Sequence, residues 1–153
     1  MKTDLHYSAN KVCPDERLAR IVLSPRDIDQ VTGRPKDTFI GLRQNESGIS
    51  FLRKDYMGET NFRKSGLDRA TLYNGNSKKK RISFVGWVEG VACEIEALAP
   101  GVIHINVNEP NIRPEHVNIE FHKDGDLVRG IVTDAEILDI IDELFHYLKY
   151  VVV

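Results

Sequence analysis

Two runs of strict alternation between Val102 and His122 constrain the fold of this chain more than any other feature. In Val102-Ile103-His104-Ile105-Asn106-Val107, the residues Ile103, Ile105 and Val107 fall on one phase, and His104 and Asn106 on the other. In His116-Val117-Asn118-Ile119-Glu120-Phe121-His122, the residues Val117, Ile119 and Phe121 alternate with His116, Asn118, Glu120 and His122. Successive side chains of a strand point to opposite faces, so each run is predicted to be a strand with one buried face. If the two pair, their histidines, asparagines and glutamate gather on one polar surface.

The remaining segments fill out the architecture. Leu18-Ala19-Arg20-Ile21-Val22-Leu23 is a short apolar run stopped by Ser24-Pro25 and reads as a first strand. Asp27 to Lys36 has loop chemistry. Thr38 to Leu42 and Ile49 to Arg53 flank a turn at Gln44–Gly48 and read as a hairpin. Between Asp55 and Asn74, Phe62, Leu67, Ala70 and Leu72 fit a helix that Gly58 and Gly66 weaken. Ile82 to Val85 opens another strand. Val88, Val91, Ala92, Ile95, Leu98 and Ala99 share one helical face, which predicts a helix over 88–98 ended by Pro100-Gly101. The same residues also read as a strand with Val91, Cys93, Ile95 and Ala97 on one side.

The final element carries the strongest local signal. Thr133-Asp134-Ala135-Glu136 has the form of a capping box, and Ile137, Ile140, Ile141, Leu144, Phe145 and Leu148 follow as an apolar stripe. A helix from about Asp134 to Lys149 is expected to pack across a sheet, with Tyr150 to Val153 docking rather than fraying. Strands, a mid-chain helix, more strands and a capped helix add up to an α+β fold with a largely antiparallel sheet, spanning residues 1–153 as a single domain.

Composition sets the class. A chain of 153 residues with 41% hydrophobic content can bury its own core without covalent staples, and its two cysteines form no disulfide framework. The formal charge of -2 gives no general attraction to nucleic acid or to anionic membrane, so such contact needs a local patch. No apolar run approaches the roughly 20 residues of a membrane span, and the first residues lack the apolar core of a secretory leader. A cytoplasmic location is the expectation.

Three constellations offer chemistry. The polar face of His104, Asn106, His116, Asn118 and Glu120 combines imidazoles with a carboxylate, which suits proton transfer or a transition metal, although the spacing matches no specific metal motif and a solvated sheet face has the same look. The basic loop Lys78, Lys79, Lys80 and Arg81 suits an acidic partner or phosphates, and nucleic acid only through that loop. Cys93 lacks a histidine at a fixed distance and reads as a small buried hydrophobe. No nucleophile elbow, zincin pair or Cys-x-x-Cys is present.

The segment Leu18-Ala19-Arg20-Ile21-Val22 resembles the first strand of RES-type toxins and the wider group of ADP-ribosyltransferase-like, NAD-consuming domains. The resemblance implies NAD as ligand, Arg20 as the phosphate clamp, Ser50 in Gly48-Ile49-Ser50-Phe51 as the middle residue, and Glu94 or Glu96 as the acid. From the residues themselves the leading expectation is different. The chain reads first as a small bacterial-type interaction protein with no cofactor, an accessory, antitoxin or immunity component that binds a protein partner.

Overall fold

The computed structural model describes residues 7–79 and 81–153. The chain runs through β1 (Arg17–Ser24), a 3-10 turn (Asp37–Phe39), β2 (Ile49–Arg53), α1 (Lys54–Met57), α2 (Glu59–Asn74) and β3 (Ser83–Val91). It continues through α3 (Ala92–Ala97), β4 (Ile103–Asn106), β5 (His116–Lys123), β6 (Asp126–Leu127), α4 (Ala135–Tyr147) and β7 (Lys149–Val152). Every strand pairing is antiparallel, in the order β4-β5-β2-β1-β3-β7 with β6 paired to β5, so the fold is α+β.

The alternating runs pair in register. Ile103 lies opposite Phe121 and Ile105 opposite Ile119, while His104 meets Glu120 and Asn106 meets Asn118. The apolar phase joins Leu18, Val22, Ile49 and Phe51 in one core cluster with Ile137, Ile140, Ile141 and Leu144 of α4. Each such side chain taken out of water contributes about 1.5–3 kcal/mol. On the opposite face, Ala19, Ile21, Leu23 and Trp87 form a second cluster with Phe62 and Ala70 of α2. Helix α2 therefore covers the β1–β3 half of that face. The β2–β5–β4 half carries the polar phase.

Helix α2 packs through Phe62, Gly66 and Ala70, each four residues apart, while Leu67 and Leu72 point to solvent. A Cβ on Gly66 would stand 2.7 Å from the ring of Phe84, so the glycine that weakens the helix signal is what lets the helix approach the sheet. At the junction of β1 and β2, Arg53 and Glu16 form a fully buried bidentate pair at 2.9 Å. Arg53 also donates to the Pro114 carbonyl, and Glu16 accepts from the Cys13 amide, so this ion pair is well satisfied.

Five expectations need correction. Thr38 to Leu42 is not a hairpin strand: Phe39 and Ile40 are consecutive and both buried, which a turn allows and a half-solvated strand does not. The helix over 88–98 is two elements, because Val88 to Val91 stay in β3 opposite Arg20 to Arg17, and the helix starts at Ala92. Val88, Ala92, Ile95 and Ala99 still feed one core, which is why their spacing imitates a single helical face. The α4 cap is Asp134 rather than Thr133; its Oδ1 accepts from the Ile137 amide at 3.1 Å, while Oδ2 pairs with Lys123. The helix stops at Tyr147, and Lys149 begins β7, the edge strand through which the apolar tail docks. Cys93 is exposed on α3 rather than buried, and both cysteines are free.

Candidate anion-binding site

The site begins with a break in the sheet. The β1–β2 ladder holds only Leu18 opposite Arg53 and Ala19 opposite Leu52, and past these pairs the two strands part. The Arg20 side chain enters the opening. Its Nη1 donates to the Ser50 carbonyl at 2.8 Å, and its guanidinium lies over the Phe39 ring at 5.1 Å. Its Nε is buried and has no hydrogen-bond partner among the described residues. A buried, incompletely paired guanidinium is unusual enough to require an explanation.

Its neighbours make the case sharper. A cavity of about 40 Å³ is lined by Arg20, Arg26, Arg43, Arg69, Asp27 and Ser50 together with apolar strand residues. Asp27 is the one carboxylate in that lining, and its Oδ2 already accepts from the Leu23 amide at 2.9 Å. Burial, then the Arg43 cation, lower the Arg20 guanidinium from its ordinary range to about 10. Asp27 and Glu46 offset part of this positive charge, and an anion seated among the four guanidinium groups would offset the rest. Room for roughly three water-sized groups suits a single phosphoryl or sulfuryl group.

A second, wider groove adjoins the cavity, with Leu52 and Arg69 common to both linings. It holds about 540 Å³ between α2 and the uncovered half of the sheet, and Met57, Leu72, Tyr73, Arg113 and His116 also line it. This volume is that of a small-molecule site. At the boundary stand Ser50, which lines the cavity, and His116, which lines the groove. Ser50 Oγ and His116 Nε2 share a hydrogen bond. Burial, and then the Arg113 and Arg69 cations, hold the His116 imidazole below its ordinary value, so it is neutral near pH 7.

The polar face predicted from the alternation is thus divided. His116 sits four residues from Glu120 along β5, roughly 13 Å at strand rise, and turns to Ser50. At the other end Asn106 Nδ2 donates to Glu120 Oε1 at 2.6 Å, and the His104 and His122 rings meet at 4.2 Å. His122 is half-buried; its Nε2 has no hydrogen-bond partner among the described residues, and Glu120 Oε1 stands 3.7 Å away. Asn118 lies on β5 between the two groups, opposite both Ser50 and Asn106. Among the described residues no group of three or more His, Cys, Asp or Glu side chains is placed to hold a metal ion.

Among known proteins, no family model, curated protein or solved structure matches this chain.

Of the residues named by the resemblance to NAD-consuming domains, Arg20 and Ser50 meet in the cavity. Glu94 and Glu96 do not join them: both lie exposed on α3, and Glu94 accepts from the Tyr147 hydroxyl at 2.8 Å. In the basic loop, Lys78, Lys79 and Arg81 are exposed and Lys80 lies outside the described residues. Arg26, Arg43, Arg69 and Arg113 carried no pattern in the sequence, since they come from separate loops and a helix. The one legible trace was that Ser50 and His116 both fall on the polar phase of their strands. No helix among the described residues is long and apolar enough to cross a membrane.

Proposed function

We propose that this chain binds a phosphate-bearing small molecule, with the phosphoryl group between β1 and β2 and the rest of the molecule in the groove beside α2. One observation carries this reading: four arginines line a phosphoryl-sized cavity whose lining holds one carboxylate, Asp27, so cations outnumber it four to one. Guanidinium groups suit the role because their planar donors match phosphate oxygens and stay charged at any physiological pH. NAD belongs to this class, and the positions of Arg20 and Ser50 make it the first dinucleotide to test. Glu94 and Glu96, on α3 and outside the cavity lining, argue against an ADP-ribosyltransferase-like reaction by the expected residues.

Thermal unfolding in the presence of inorganic phosphate, AMP and NAD tests the proposal. A ligand at 100 times its dissociation constant stabilises the folded state by about 2.7 kcal/mol. For a chain of this size that raises the midpoint by roughly 5 °C or more. Arg43→Ala and Arg69→Ala are each expected to reduce the increment, and an unmoved midpoint with every one of these ligands would refute the proposal.

A second reading, binding of a macromolecular partner, has its own support. Leu67, Leu72 and Tyr73 are exposed along α2, next to Lys78, Lys79 and Arg81. Co-purification in which Leu72→Glu releases a partner retained by the unaltered chain is the test.

A further inference from the structure

We propose that Ser50 and His116 are a nucleophile and base that transfer the phosphoryl group held in the arginine cavity, which makes the substrate a phosphate monoester. This rests on the phosphate-binding reading above and adds a reaction to it.

The arrangement follows from the boundary between cavity and groove. A phosphoryl group among Arg20, Arg43 and Arg69 lies in the cavity that Ser50 lines. Its ester oxygen and organic part then extend into the groove that His116 lines. The atom within reach of the Ser50 hydroxyl is therefore phosphorus, and the ester oxygen leaves on the side of phosphorus away from Ser50 Oγ. Ser50 Oγ and His116 Nε2 already share the hydrogen bond along which a proton passes. A neutral imidazole can accept that proton at pH 7.

The step balances as follows. Ser50 Oγ attacks phosphorus as His116 Nε2 takes the hydroxyl proton, and the bond from phosphorus to the ester oxygen breaks. The ester oxygen departs in line, opposite Ser50 Oγ, and takes its proton from solvent, giving the free alcohol and phosphoserine while His116 keeps the serine proton. Water then attacks phosphorus from the side the ester left, losing a proton to solvent, while the His116 imidazolium returns its proton to Ser50 Oγ as that bond to phosphorus breaks and hydrogen phosphate is released. The guanidinium groups stabilise the charge on the equatorial phosphoryl oxygens throughout. The Arg20 Nε, buried and unpartnered, is a donor available to that charge.

The experiment uses p-nitrophenyl phosphate with the full chain, following nitrophenolate release and mapping phosphoserine after acid quench. Thermal stabilisation by inorganic phosphate is measured on the same samples. The expected result is release by the unaltered chain with transient phosphoserine at position 50. Ser50→Ala and His116→Gln should each lower the rate about 10²–10⁴-fold while phosphate still stabilises them. Ser50→Ala removes one hydroxyl from a half-buried strand position, and His116→Gln keeps a hydrogen-bonding group at its site, so both retain the fold. No release from a chain that phosphate still stabilises overturns this inference and leaves the binding reading intact. An unchanged rate in Ser50→Ala overturns it as well. Absence of phosphate stabilisation in the unaltered chain refutes both.

Discussion

Fully buried Arg53 and half-buried Arg20, in adjacent strands, should respond very differently to the same substitution. Arg53 is fully buried against Glu16, with both ends of its guanidinium engaged and the Tyr56 ring 4.2 Å from its Cζ. Arg53→Met leaves the Glu16 carboxylate buried and uncompensated, which costs about 3–5 kcal/mol. Arg20 is different, because its surroundings oppose its charge. The lowering of its pKa to about 10 corresponds to roughly 3 kcal/mol of unfavourable charge burial in the folded chain. Arg20→Met relieves that penalty while losing one charged hydrogen bond to the Ser50 carbonyl, worth about 1.5–3 kcal/mol, and the contact with Phe39. The two effects nearly cancel, so the net change should lie within about 1 kcal/mol of zero. Urea unfolding at pH 7 in phosphate-free buffer, with slopes compared between variants, gives both numbers. If Arg20→Met is as damaging as Arg53→Met, Arg20 is a structural residue and the reasoning that assigns it to a ligand fails.

Further outcomes follow from the same geometry. Lys78→Ala, Lys79→Ala and Arg81→Ala together should leave phosphate stabilisation unchanged, since none of these side chains lines the cavity; a loss measured by thermal shift would place the anion at the loop. Gly86→Ala should cost about 3 kcal/mol by denaturant unfolding, because its Cβ would come within 2.2 Å of the Val151 carbonyl oxygen and β7 cannot retreat without leaving β3. The His116 imidazole faces Arg113, Arg69, Glu109, Glu115 and Ser50, and burial and the cations hold its folded value below the ordinary one. Folding stability is therefore fully present above the unfolded value of about 6.5 and declines as pH falls from there through the lower folded value. The acid limb of any His116-dependent rate should accordingly fall below pH 6.5, and a limb above it would contradict the lowered imidazole.

Much of the scaffold was legible because it rests on short-range pattern. The alternation over 102–122 gave both strands and their inward phases, and the apolar stripe after Asp134 gave α4. Patterns shared by two elements were misleading, as with Val88 to Ala99, where a strand and a short helix feed one core. The site was legible only in fragments. Arg20 and Ser50 belonged to one expectation and His116 to another, and their meeting depends on β2 lying between β1 and β5, a long-range pairing that no local window contains. The parting of β1 from β2 and the convergence of Arg26, Arg43 and Arg69 on that opening are likewise products of tertiary packing.

Calorimetric titration of inorganic phosphate into the chain at physiological salt tests the central claim most directly. The account predicts one saturable site per chain that disappears in Arg20→Met and weakens in Arg43→Ala and Arg69→Ala. Absence of saturable heat in the unaltered chain, or an undiminished site in Arg20→Met, would contradict it.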